Sequence, residues 1–279
     1  MVKAVDFIEA NLKADIAVAD IADAVSYSLY HFCRMFNRIT RHTPYDYLMR
    51  RRLSESAREL AETDKKIIQV AFDYRFNSPE TFSRAFKRVF NVQPYQWRKQ
   101  GSLDRRVLMS RLTPAHIQHI NKGDYLNPVL EERGAFQVAG VMALVKDDQE
   151  VIPLLWDTLA GELADIGSID TGGRYSGIAW YPRGWQKRGY LYLAAVEAKP
   201  QAVLGSALVV KTMPPSKYAR FIHKGPYRDL GLTLDYIYQT WLPKSGKRTA
   251  GPFVIEDYGH KLGHPDDEAS ETGIDIPIK

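Results

Sequence analysis

Arg34 and Arg84 stand fifty residues apart, and each is followed four positions later by a second arginine, Arg38 and Arg88. A guanidinium is a planar fork. It can donate to both acceptors on the major-groove edge of guanine, and it can equally hold a phosphate. The correspondence is wider than the arginines: Ser28/Ser78, Phe32/Phe82 and Phe36/Phe86 coincide without a gap, with Asp23/Asp73 before them and Pro44-Tyr45/Pro94-Tyr95 after. A repeat of this length is the mark of a duplicated supersecondary unit.

Each unit must hold its arginines on a rigid element, and the pattern predicts a short helix, a tight turn and a second helix. Ser28 and Ser78 stand where an N-cap hydroxyl accepts an orphan backbone N–H, and Pro79 suits the first helical position. Phe32, Phe36 and Ile39, like Phe82, Phe86 and Val89, follow the spacing of a buried stripe. The opposite face presents Tyr30, Arg34, Asn37 and Arg41 in one unit and Glu80, Arg84, Lys87 and Asn91 in the other. Only Glu80 among these is acidic. Two cationic helices on one scaffold match consecutive major grooves, ~34 Å apart along a duplex. In that arrangement Arg38, Arg41, Lys87 and Arg88, with Ser28 and Ser78 at the helix starts, are expected at phosphates, which set register without reading sequence. A longer helix from Pro44 through Leu60 joins the units. Its run Arg50-Arg51-Arg52 has two readings, a solvated face or further phosphate contacts.

The charge distribution agrees. Of the chain's 279 residues and net charge of +5, residues 1–106 hold 19 Lys/Arg and 13 Asp/Glu, a net of +6, and residues 107–279 a net of −1. The excess positive charge faces a polyanion from the first part only. With 45% hydrophobic and 25% charged residues, the composition is that of a folded, two-domain chain. No apolar run reaches the ~18–20 residues that cross a bilayer, and acids lie among the apolar residues of the N-terminus, so a cytoplasmic, nucleoid-associated location without membrane contact is expected. Cys33, the one cysteine, closes no internal disulfide and excludes a cysteine-built metal site. His116 and His119 are expected to be a solvated pair. Neither a metal nor a cofactor is anticipated.

The segment from Val5 to Gln100 resembles the all-α, double helix-turn-helix DNA-binding domain of the AraC/XylS transcription regulators. The stretch Ala71 to Phe76, the run Ser78 to Lys87 and the tail Pro94 to Arg98 carry the likeness. It implies that base edges are read by Tyr30, Cys33 and Arg34 in the first unit and by Pro79, Glu80, Thr81 and Arg84 in the second. Cys33 replaces a longer polar reader, and Pro79 with Glu80 replaces uncharged polar side chains, which assigns more of the specificity to the first unit. Duplex DNA and RNA polymerase are the implied partners. The domain is taken as residues 1–101, with a linker over 102–123.

Beyond the linker the periodicity changes to strands. Residues 136–145, 175–181 and 190–197 read as strands, with an amphipathic helix from Val151 to Leu163; residues 207–213, 217–223, 253–258 and 273–278 repeat the order around a helix at 227–241. Two strand-strand-helix-strand-strand copies give an α+β domain with an antiparallel sheet. Residues 124–279 resemble the GyrI-like effector-binding domain of multidrug-sensing regulators, on Phe136 to Val141, Ala194 to Glu197, Tyr218 to Tyr227 and Ile274 to Ile278. An aromatic-lined site for a small amphipathic effector, a lipophilic cation among the candidates, is then expected from Trp156, Tyr175, Trp180, Tyr192, Phe221, Tyr227, Trp241 and Tyr258. The family's acid on the closing strand aligns with Gly273, which leaves Glu197 as the candidate carboxylate. The chain is expected not to be an enzyme. The alternatives are a GyrI-like hydrolase of a reactive xenobiotic, using Glu197 with Tyr192 or Tyr258, and a C-terminal domain that docks a protein partner.

Overall fold

Pro44, Pro79, Pro94 and Pro114 each open a helix, at the position where a missing N–H costs no hydrogen bond. The computed structural model describes all residues except 101–104, 123–125, 147–149, 167–170, 183, 199–207 and 261–265. Two units result: Met1–Gly123 with Gly231–Gly246, and Asp124–Leu230 with Lys247–Lys279. The expected strand start at 207 and part of the 102–123 linker lie outside the described residues.

The first unit is helical: α1 (Val2–Ala10), α2 (Val18–Ala24), α3 (Leu29–Thr40), α4 (Pro44–Glu62), α5 (Ile67–Asp73), α6 (Pro79–Phe90), α7 (Pro94–Gln100) and α8 (Pro114–Asn121). The Thr43, Ser78 and Thr113 hydroxyls accept from the N–H groups of Asp46, Thr81 and His116. Ser28 does not cap α3 in this way. Its backbone differs from that of Ser78, with φ −63° against −156°. Phe32 and Phe36 are fully buried with Tyr47; Phe82 packs edge-on against Phe86, and Phe86 and Phe90 pack on Trp97, whose indole N–H donates to the Ala57 carbonyl at 2.9 Å.

The gapless repeat holds for α3 and α6 and breaks in the turn before them. Buried Ile21 and Ala22 correspond to Val70 and Ala71, the left-handed turn residues are Ser26 and Arg75, and Tyr27 N–H→Ala22 O corresponds to Phe76 N–H→Ala71 O. All of these pairs are offset by 49, not 50. The second turn therefore has one extra residue, Asn77, and Asp23/Asp73 is a coincidence of letters rather than a structural equivalence.

Neither reading of Arg50-Arg51-Arg52 survives. All three are buried. Arg51 holds both carboxylate oxygens of Glu9, at 2.8 and 2.7 Å, and also donates to the Met109 carbonyl; Arg52 donates to the carbonyls of Leu12 and Ala14. Burial disfavours the Arg51 charge, and the Glu9 bonds more than offset this, leaving its pKa above the ordinary value. The run is scaffold that ties α1 and its following loop to α4.

The second unit is one eight-stranded antiparallel sheet: β1 (Val129–Arg133), β2 (Phe136–Val145), β3 (Thr171–Trp180), β4 (Tyr190–Ala198), β5 (Val209–Met213), β6 (Ser216–Lys224), β7 (Phe253–Gly259) and β8 (Glu271–Ile278), in the order β1-β6-β8-β7-β3-β4-β2-β5. The two copies are joined edge to edge through β3 and β7, not set face to face. β1, which pairs with β6, was not visible as a strand in the sequence because Glu131, Glu132 and Arg133 interrupt its apolar pattern. The helix α9 (Val151–Ile166) lies on the face formed by Ala139, Ala179, Tyr192 and Ala194, and a short helix α10 (Trp185–Arg188) precedes β4.

In the second copy the helical stretch α11 (Leu230–Tyr236) runs through a π-helical turn, Ile237–Trp241, into α12 (Leu242–Ser245). Gly231–Gly246 belongs to the helical unit. Its polar contacts there are specific: His119 Nε2 to Thr233 Oγ1 at 2.7 Å, His116 Nε2 to Asp235 Oδ2 at 3.1 Å, the Ser110 N–H to Gln239 Oε1 at 2.8 Å, and His42 Nε2 to Thr240 Oγ1 at 3.0 Å. His116 and His119 are thus not the solvated pair expected, because each has a partner on this segment.

Candidate nucleic-acid interface and ligand site

On α3 and α6 the phenylalanine stripes point inward and leave one face of each helix to solvent. Tyr30, Arg34, Asn37, Arg38 and Arg41 are exposed on α3, as are Glu80, Thr81, Arg84, Lys87 and Arg88 on α6; Cys33, Ser78 and Pro79 are half-buried. Ser28, at the start of α3, is exposed. Tyr30 supports Arg34 in two ways, since its hydroxyl accepts from Arg34 Nη1 at 3.1 Å and the guanidinium lies 5.5 Å from its ring centroid. Arg84 has no such neighbour one turn earlier, because Glu80 occupies that place. Hydrogen bonds from the Ser78 hydroxyl and the Glu80 backbone N–H hold the Glu80 carboxyl below its ordinary pKa, so it is charged at neutral pH. A carboxylate accepts from the cytosine amino group and repels phosphate. Each helix ends in a left-handed residue, Arg41 at φ 62° and Asn91 at φ 60°. Arg41 therefore stands at the C-terminal end of α3.

In the sheet, Phe221, Ile274, Glu256, Gly177 and Ala194 form one cross-strand row and share a face. Glu256 Oε2 accepts from Tyr192 Oη at 2.7 Å and from Tyr258 Oη at 2.8 Å. Trp156 from α9 meets the Tyr258 ring edge-on at 5.3 Å, and Tyr227 meets it at 5.0 Å. Burial raises the Glu256 pKa above 4.5 against the lowering effect of the two phenol hydrogen bonds, and pushes both phenols well above 10. Gly177 makes this approach possible. A Cβ there would stand 2.1 Å from Tyr192 Oη and 2.7 Å from Glu256 Oε2. The arrangement is a carboxylate inside an aromatic cluster, which favours an organic cation by charge and by the ring faces.

The expected ligand residues divide. Trp156, Tyr192, Tyr227 and Tyr258 meet around Glu256; Tyr175 shares the face two residues along β3, and Phe221 is a fully buried member of the same row. Trp180 lies on the other face, packed with Phe253 at 6.4 Å. Glu197 also points to that face, where it pairs with Arg133 at 3.3 Å, and it does not meet the aromatic cluster. Trp241 belongs to the helical unit and lines a groove beside α3. Glu256 was missed by the sequence reading. The signal was available: in the alternation Val254, Glu256, Tyr258 a carboxylate occupies an inward strand position. Gly273, where the family's acid was aligned, instead makes room for an ion-pair network, for a Cβ there would stand 2.7 Å from Arg220 Nη2. Arg220 and Arg174 both bind Asp257, and Arg220 lies 3.4 Å from Asp275 and from Glu131. Among the described residues no group of His, Cys, Asp and Glu is arranged to hold a metal, and no helix is long and apolar enough to cross a membrane.

Comparison with known proteins agrees with this architecture. Residues 21–100 match the helix-turn-helix domain family, and residues 126–279 match the GyrI-like small molecule binding domain family. The multiple antibiotic resistance protein MarA of Escherichia coli is 34% identical over 93 residues, 33% of this chain and 73% of MarA. The transcriptional regulator Rob of Salmonella typhimurium is 38% identical over 95 residues, 34% of this chain and 33% of Rob. Among solved structures, the C-terminal domain of EcmrR is 17% identical with a TM-score of 0.46, covering 55% of this chain and 96% of that one. The chain belongs to the AraC/XylS family of transcription regulators, with a helical DNA-binding domain followed by a GyrI-like α+β domain.

Proposed function

We propose that this regulator reads a specific duplex site with α3 and α6, through residues 1–101, and that residues 124–279 bind a small lipophilic cation at Glu256. One observation carries the DNA reading: the same cationic face is exposed twice on two copies of one scaffold, held by buried phenylalanines. Arg34 and Arg84, with Tyr30, Cys33, Pro79, Glu80 and Thr81, face the bases. Arg38, Arg41, Lys87 and Arg88, with Ser28 and Ser78, hold phosphates. The effector reading rests on the Glu256 carboxylate between two phenols beside Trp156 and Tyr227, and Glu256 replaces Glu197 in it. Regulation requires effector-bound and free forms to differ in DNA affinity or in contact with RNA polymerase.

Genomic binding-site selection with the full chain, with and without tetraphenylphosphonium, tests reader and response together. Arg34→Ala and Arg84→Ala should each lose ~1–3 kcal/mol of discrimination at a particular base, whereas Lys87→Ala should weaken all sequences alike. Equal losses on selected and random DNA for all three variants would overturn the assignment of readers. If titration calorimetry found no cationic, neutral or anionic compound that binds, the C-terminal domain would instead dock a protein partner. Appearance of a hydrolysis product, abolished by Glu256→Gln, would make the same carboxylate and phenols catalytic.

A further inference from the structure

The first reading helix is flanked on one side by a segment from far along the chain. Between α3 and residues 236–245 lies a groove of about 870 Å³, lined by Arg34, Arg38 and Arg41 on one wall and by Tyr236, Trp241 and Lys244 on the other. Among the described residues that line it there is no carboxylate. Four cations therefore share one concave surface that opens beside the exposed side chain of Tyr30.

The wall formed by the later segment is held in place rather than loosely apposed. The π-helical turn buries Ile237, Tyr238, Gln239 and Thr240, and the hydroxyl of Thr240 meets the ring of the buried His42. Gln239 is bonded to the Ser110 N–H and, through its amide, to Asp235 at 2.7 Å. A π-turn adds one residue to the helical circuit, a distortion that often accompanies a functional position. It leaves Trp241 and Lys244 on the groove side, while the Lys244 ammonium donates to the carbonyl of Arg41, the residue that ends α3. The Lys244 residue is exposed overall while its ammonium is partly shielded, and this shielding, with Arg50 and Arg41 of its own sign, lowers its pKa against the raising effect of Asp46. An anion in the groove would offset that repulsion.

We infer that Gly231–Gly246 is part of the DNA interface: the groove between it and α3 receives the phosphodiester backbone of one strand, with Lys244 as the segment's phosphate ligand. The inference rests on the reading above that α3 enters the major groove, because a helix seated there has a phosphate ridge along each flank. Charge complementarity selects the occupant, since a strand of nucleic acid supplies an extended row of monoanions matching Arg38, Arg41 and Lys244. The ring of Trp241 gives the sugar edge an apolar surface. On this account a segment of the effector-binding half of the sequence contributes directly to DNA affinity.

The test is fluorescence anisotropy of the full chain on a mixed-sequence duplex across a salt series, comparing the unaltered protein with Lys244→Gln, Lys244→Arg and Arg84→Ala. Losing one phosphate contact should shallow the salt slope by about 0.9 and weaken binding roughly 5- to 10-fold at ~0.1 M salt. Lys244→Arg, which keeps the charge, should restore both, and this separates a phosphate contact from loss of the Arg41 cap. An unchanged slope for Lys244→Gln, or a gain in affinity because the segment covers α3, overturns the inference. On a selected site, an effect of Arg84→Ala without one of Lys244→Gln would leave the DNA reading standing and remove only this extension. A chain that binds no duplex at all would remove both.

Discussion

Asp275 offers a test in which the structure sets both size and sign. It lies on β8 with a side chain 2% exposed, its Oδ2 is 3.4 Å from Arg220, and its Oδ1 is buried without a hydrogen-bond partner. Burial raises its pKa most strongly. Arg220 and Arg133 lower it, Asp257 and Glu131 raise it, and the result is about 6 against 3.8 for the free side chain. A carboxyl that holds its proton more tightly when folded favours the folded state below the unfolded pKa, and that contribution is lost as pH rises through the folded value. The shift of about 2 units corresponds to a cost on the order of 3 kcal/mol, developed between about pH 4 and pH 6 and constant above. Asp275→Asn keeps the shape and removes the titration. It should therefore stabilise the protein by about 2–3 kcal/mol at pH 8, a figure already net of the attraction to Arg220, and by almost nothing at pH 4. The assay is denaturant unfolding of both proteins at several pH values, followed through a probe in the sheet domain. A difference between the two that is the same at pH 4.5 and pH 8 would show that Asp275 does not titrate in this window, and a loss of stability at pH 8 would show that its charge is wanted by Arg220.

Three further outcomes are expected. Glu256→Gln should reduce binding of tetraphenylphosphonium by at least about tenfold by calorimetry, and in the unaltered protein affinity should rise with pH through the folded pKa of Glu256, above 4.5, because a bound cation favours the ionised carboxyl. Gly177→Ala should impair the same binding with DNA affinity unchanged, since the added methyl would meet Tyr192 Oη and Glu256 Oε2; equal binding would place the effector elsewhere. Arg51→Ala should cost about 3 kcal/mol of stability by leaving the largely buried Glu9 carboxylate to the Tyr47 hydroxyl without its guanidinium, without changing the salt slope of DNA binding at temperatures where the variant is folded.

The double helix-turn-helix was legible in the letters because its determinants are local. A phenylalanine stripe with helical period, prolines at first turns and arginines on the opposite face depend on neighbours within four residues, and a duplication writes them twice. The alternation of the strands is equally local, so both copies of the sheet motif could be read apart from β1, where charged residues interrupt the pattern. What could not be read depends on residues distant in sequence. Arg50, Arg51 and Arg52 look like a solvated or phosphate-binding run until Glu9 and the carbonyls of Leu12, Ala14 and Met109 are brought around them. Glu197 and Glu256 are both acids on apolar strands; alternation sets Glu197 on the face opposite Tyr192 and Glu256 on the side of Tyr258, and strand register then brings Glu256 to Tyr192. The extra residue Asn77 is invisible in a gapless alignment because α3 and α6 stay in phase; the hydrogen bonds of the two turns reveal it. Trp241 and Lys244, seventeen and twenty residues beyond the end of β6 in sequence, stand beside Arg34 and Arg41 because contacts to His42 and Ser110 seat their helix in the DNA-binding unit. Periodicity determines which face of an element is apolar; which elements those faces meet is settled only when the chain closes on itself.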